Sequence, residues 1–231
     1  MTLPELYVAF AVVLVLWSGL LWIAGRLAPG RERAQARPLA IALGAVALGL
    51  TLLPLGDFTL WRWVMSAHAN PSVLFVGFLA AYVGTRLSGR VWLSLGERRT
   101  AYVLGFAIGL VLYVSATGFF GPDLYAAAWE SRLVVVVTGA LAAALIVSGN
   151  RVGILLLAAL GASMGDVLES DNVWDYLIDP AFWFLSVGGL LRDGLVRFRR
   201  DRANGGGSPD ASAAVDEVGT GPDARQDLAR S

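Results

Sequence analysis

The residues best suited to chemistry lie between Asp166 and Asp179, where Asp166, Glu169, Asp171, Asp175 and Asp179 occur with no basic residue among them. Five carboxylates in so short a stretch repel one another. Water and salt screen them if the loop is open, but packing under other loops would require protonation, Arg62 or Arg132 as partners, or a bound cation. Asp166 and Glu169 are three apart and Asp171 and Asp175 four apart, so in a helix each pair would share a face and offer two oxygen ligands. The metal-ligand candidates are therefore Asp166, Glu169, Asp171 and Asp175, fitting a hard cation such as calcium or magnesium. His68, the only histidine, would shift that preference toward a transition metal. It joins Asp166, Glu169 and Asp175 as the candidate catalytic acids and bases. A solvated acidic surface beside an aromatic belt is the simpler reading, and the sequence favours it.

Gly161-Ala162-Ser163-Met164-Gly165 matches the G-x-S-x-G pattern of a nucleophile elbow. An elbow needs a strand before its serine, whereas Ser163 follows an apolar helical run, so a packing serine is expected. The same glycines, like Gly105-x-x-x-Gly109, form a small-residue face that admits close approach of another helix, expected within this chain rather than in a homodimer. The absence of cysteine removes disulfides, iron–sulfur clusters and zinc–thiolate sites. The absence of lysine removes Schiff-base chemistry and with it retinal, and a single histidine removes paired-histidine haem ligation. The cofactor, if any, stays unknown.

The elements that must position these residues are apolar. Of the 231 residues, 56% are hydrophobic and 16% charged, too apolar for a soluble domain of this size. The runs are also too continuous for barrel strands, so the expected fold is all-α, a polytopic transmembrane helix bundle of about seven spans. The spans fall at Leu6 to Gly25, Pro38 to Leu55, Pro71 to Leu87, Thr100 to Phe120, Arg132 to Gly149, Val152 to Leu168 and Pro180 to Arg199. The leader Met1-Thr2-Leu3-Pro4-Glu5 has no basic region, so the first segment is read as a retained helix rather than a signal peptide. Asn70-Pro71 and Asp179-Pro180 each put a capping residue before a proline suited to a first helical turn.

Arginine fixes the orientation. Fourteen arginines fall on one side of these spans, while only Arg62 and Arg132 fall on the other, which places the N-terminus outside and the C-terminus in the cytoplasm. The uncharged cores of spans six and seven are short, but losing only one would put the arginine-rich end outside; losing both leaves a five-span alternative. Residues 1–202 are thus the membrane domain, and 203–231, rich in Gly, Ser, Ala, Pro and Asp, a disordered cytoplasmic tail. All 18 basic residues are arginine, read as the GC bias of a bacterial genome, and the expected location is the inner (plasma) membrane. Three loops on the outer side hold Trp61, Trp63, Tyr125, Trp129, Trp174 and Tyr176 among acids, and each could fold as a short interfacial helix.

No span has an ionisable residue near its middle, so the main polar groups there are Ser18, Ser115, Thr117 and Thr138. The leading expectation is a non-enzymatic accessory, assembly or scaffold membrane protein. The second is a membrane-embedded enzyme acting on a lipid or lipid-linked headgroup at the outer face, and the third a carrier of an uncharged or cationic solute. A polar pocket reached from outside would favour the enzyme, a midplane cavity the carrier, and a solid bundle with an apolar flank the accessory subunit. Membrane lipids are the expected partners, with a homo-oligomer or a membrane-protein partner possible and no nucleic acid.

Overall fold

The computed structural model describes residues 1–27, 33–118, 123–127, 129 and 132–205. Residues 1–190 form one compact unit and residues from Leu191 onward a second. The protein is all-α apart from one small hairpin. In chain order its elements are α1 (Leu3–Leu27), α2 (Arg33–Thr51), β1 (Pro54–Leu55), β2 (Phe58–Thr59), α3 (Leu60–Ala67), α4 (Val73–Ser88), α5 (Leu95–Ser115), α6 (Leu124–Ala127), α7 (Leu133–Val147), α8 (Val152–Met164), α9 (Val173–Leu177) and α10 (Pro180–Gly205).

Each predicted apolar segment holds a helix, with shifted boundaries. The second ends at Thr51 rather than Leu55, because Pro54 cannot donate to a helix and Gly56, at φ 68°, turns the chain into β1–β2. The sixth ends at Met164, short of Leu168, and the seventh continues to Gly205. Among the described residues only α1 is by itself long and apolar enough to cross a membrane, and its N-terminal place suits a signal sequence as well. The tail from residue 206, Phe120 and Glu130 lie outside the described residues.

Helix α4 is the most enclosed element. Its Leu74, Phe75, Val76 and Phe78 are buried, and it packs on α1, α2 and α8. Phe182 of α10 completes an aromatic cluster, 6.2 Å from Phe75 and 6.0 Å from Phe78 between ring centroids. Gly105 and Gly109 of α5 face α10, where a Cβ on Gly105 would collide with Ser186 and Phe182 and one on Gly109 with the Trp183 indole. The Gly105-x-x-x-Gly109 face therefore packs within this chain. Gly161 differs, since a Cβ there would meet nothing within 4 Å. The second glycine pair is thus no packing face inside the described fold.

The outward faces are apolar too. Phe10, Trp22, Val136, Val137, Ile154 and Leu157 are among many large side chains exposed on α1, α7 and α8. Ser115 and Thr117 donate back to Leu112 O and Val114 O of their own helix, as expected, whereas the buried Ser18 hydroxyl has no hydrogen-bond partner.

An ion pair between the buried Glu97 and the exposed Arg151 fixes the turn between α7 and α8. Ser94 caps α5 in a capping box with Glu97, whose carboxylate also accepts from the Arg151 guanidinium through Nε and Nη2, each at 2.8 Å. Arg151 donates its backbone N–H to Glu97 as well, so the guanidinium beside it holds the Glu97 carboxyl well below the usual carboxylate range.

Candidate functional site

Three short helices, α3, α6 and α9, form in the three aromatic loops singled out above, and the acidic loop turns Asp175 and Asp179 inward while Asp166, Glu169 and Asp171 stay exposed. Its anchor is Asn172, fully buried, which caps α9 by accepting from Trp174 N at 3.0 Å and donates from Nδ2 to Tyr125 O at 3.0 Å. Trp174 Nε1 reaches Leu124 O at 3.1 Å, so α9 is stitched to the short α6. Asp175, the acid of α9, accepts from Tyr125 Oη at 2.9 Å and from Ser170 Oγ. Burial, and then the Asp175 carboxylate beside it, push the Tyr125 phenol up to about 12, which keeps it a proton donor at neutral pH. Burial likewise raises Tyr176, whose hydroxyl accepts from Leu168 N at 3.2 Å.

Asp179 holds a second junction. Its carboxylate accepts from Phe182 N at 2.8 Å, capping α10 as the Asp179-Pro180 pair predicts, and from Ser72 N at 2.6 Å at the start of α4. One buried carboxylate therefore ties together two helix N-termini far apart in sequence. The α4 cap is Ser72, not Asn70, because the Ser72 hydroxyl accepts from Phe75 N at 3.2 Å while the chain is still extended there. Asn70 is left with its Oδ1 shielded and without a hydrogen-bond partner. His68 closes α3, with its Nε2 3.8 Å from Asp179 Oδ1, near enough for attraction but too far for a hydrogen bond.

Between these junctions lies a cavity of about 330 Å³ whose polar lining is His68, Asn70, Tyr113, Tyr125, Asp175 and Asp179. Leu112, Ala116 and Ile178 supply apolar wall, and Ala67, Ala116 and Pro180 are exposed at its edge. Compared with protein-family models, curated proteins and solved structures, the chain matches none. What the site can do must follow from its own chemistry.

Of the catalytic candidates, His68 and Asp175 meet in this cavity, while Asp166 and Glu169 are exposed and outside its lining. The four proposed metal ligands are not gathered. Asp166 follows the end of α8 at φ 49° and Asp171 precedes α9, so neither spacing argument acts on a helix face. Among the described residues no group of three or more His, Asp or Glu is placed to hold a metal ion. Arg62 pairs with Glu5 at 3.8 Å instead of with the acidic loop. Ser163 donates back to Leu160 O at 2.8 Å, the behaviour of a packing serine. Sequence reasoning missed Asn70, Tyr113 and Tyr125 as site residues and read Asp179 as one of the five clustered acids and as a cap. Asn70-Pro71-Ser72 and Asp179-Pro180 carried a local signal; nothing near Tyr113 did.

The arrangement places an imidazole beside two carboxylates: His68 Nε2 faces Asp179, and Asp175 accepts from the Tyr125 hydroxyl, a set of groups suited to acid–base chemistry.

Proposed function

We propose that this chain is a multi-pass membrane protein of the inner (plasma) membrane of a bacterium that receives a lipid or lipid-linked headgroup in the cavity at its outer face. The cavity itself carries this reading, because it joins acid–base groups to an apolar edge. Leu112 and Ala116 lie on α5 next to the exposed Val111, so an acyl chain could stay in the bilayer while its headgroup enters. His68 is the proton carrier of the proposed site, Asp179 orients it, and Asp175 and Tyr125 hold the wall.

The seven-span arrangement, N-terminus outside, is supported by seven helices on seven apolar segments, by their exposed apolar faces and by the arginine distribution. Helices as short as α8, 13 residues, reach only about 20 Å, against about 30 Å of hydrocarbon. Snorkelling arginines and a locally thinner bilayer make up the difference.

The test is gentle purification of the full chain followed by mass spectrometry of what stays bound. A lipid should co-purify, and Ala116→Phe, which fills the cavity edge at the C-cap of α5 while keeping the capping backbone bond to Leu112 O, should deplete it several-fold. Lipid content unchanged by Ala116→Phe would remove the headgroup site. The accessory-subunit reading rests on a different observation, the broad apolar flank of α7, where Val136 is 63% and Val137 56% exposed. A membrane protein recovered in equal amount would favour it. The carrier draws no support from this cavity, which lies at helix ends rather than midway along them.

A further inference from the structure

We infer that the group received by the cavity is a cation, an ammonium such as an ethanolamine headgroup or a free amine carries; this rests on the headgroup reading above and names its ligand class. The fixed charge in the lining is negative. Asp175 and Asp179 both face the cavity, and no arginine is among the lining residues, which leaves His68 as the sole group there able to become positive. Asp175 is held by two hydroxyl groups, those of Tyr125 and Ser170, and neither neutralises it. Helix ends are already satisfied on both sides: Asp179 takes the Ser72 and Phe182 N–H groups at the starts of α4 and α10, and the Leu112, Val114 and Ser115 carbonyls at the end of α5 accept from Ala116, Thr117 and Gly118.

The rings of Tyr113 and Tyr125 offer the faces on which cations rest. An anionic group would meet two carboxylates instead. A metal ion would need more ligands than are gathered here among the described residues. The cavity, about 330 Å³, also matches the small end of ligand sites, large enough for an amine headgroup.

Calorimetric titration of the full chain in mild detergent tests this with three probes: dihexanoyl phosphatidylethanolamine, dihexanoyl phosphatidylglycerol and free ethanolamine. The ethanolamine lipid should bind about tenfold or more tightly than the glycerol lipid, and Asp175→Asn should bring the two lipids to within about threefold of each other. Free ethanolamine binding as well as its lipid would make the source a solute rather than a headgroup, with the cation assignment intact. Tyr125→Phe, which frees Asp175 but keeps its charge, should retain the preference; an equal loss in both variants would make loop anchoring the cause and overturn the assignment. Equal binding of both lipids, abolished by Ala116→Phe, overturns the cation and leaves the headgroup site standing. If no probe binds, both readings fall together.

Discussion

Glu97 accepts from the backbone N–H groups of Ser94 and Arg151 and from two guanidinium nitrogens, although its side chain is only 9% exposed. Replacing it by Gln removes the charge while keeping the shape, and the protein should lose about 2 kcal/mol of stability near neutral pH. The pH dependence has a definite sign. Because Arg151 lowers the Glu97 carboxyl in the fold, the stabilisation is complete above its ordinary value near 4.5 and is lost as the pH falls below that toward the lowered one. Thermal denaturation in detergent should therefore show a gap between parent and Glu97→Gln at pH 7 that narrows by about pH 3; a gap independent of pH would remove the ion pair as its cause. In the sequence Glu97 stands in Glu97-Arg98-Arg99, where it reads as one charge of a basic loop. The Ser94-x-x-Glu97 spacing reveals the cap, but the partner 54 residues on is set by packing and leaves no local trace. His68 and Asp175, which the fold brings to one cavity, stood out in the sequence as the lone histidine and as a member of the acidic cluster of an apolar chain. Tyr113 was not, since a tyrosine near a helix end looks the same whether it lines a cavity or an interface.

Helices were the most legible elements, because long apolar runs bounded by turn residues have few other folds open to them. Their contacts were less so. Two glycine pairs with identical spacing met different fates, one pressed against α10 and one facing nothing within 4 Å at Gly161. Spacing places two small residues on a helix face, and only the tertiary fold decides whether a neighbour comes. Gly109→Ala should therefore cost about 1–3 kcal/mol, since its methyl would collide with the Trp183 indole. Gly161→Ala should be neutral or slightly stabilising, as alanine is the better helix former. Thermal midpoints of the two variants measured side by side decide the matter, and equal losses would contradict the packing described. The acidic loop escaped a helical reading for a related reason. Asn172 and Asp179 spend their side chains on caps and cross-links, which breaks the stretch into one short helix with extended flanks.

At the scale of the molecule, orientation is an electrostatic argument that composition alone supports. It predicts that a reporter fluorescent only in the cytoplasm is active when fused after Arg202 and silent when fused after Asp175. Activity at both positions would withdraw the crossing of α10 and move the cavity to the wrong side for a headgroup of the outer leaflet. The all-α class was fully legible. The length of each helix was not, because helix ends here are fixed by caps, turns and Pro54 rather than by where the apolar residues stop.

The bond from Ser72 N to Asp179 joins residues 107 positions apart. Residues from α3, α5, α6 and α9 meet around that junction, so no shorter N-terminal piece of the chain contains the whole cavity wall. Chains are made from the N-terminus onward, and closing so long a loop is entropically unfavourable until the last contacts repay it. The site therefore comes into being late, when the final helix arrives. A chain that stops before Asp179 holds most of the helices and an incomplete cavity wall, so the proposed site can form only once synthesis has passed Pro180.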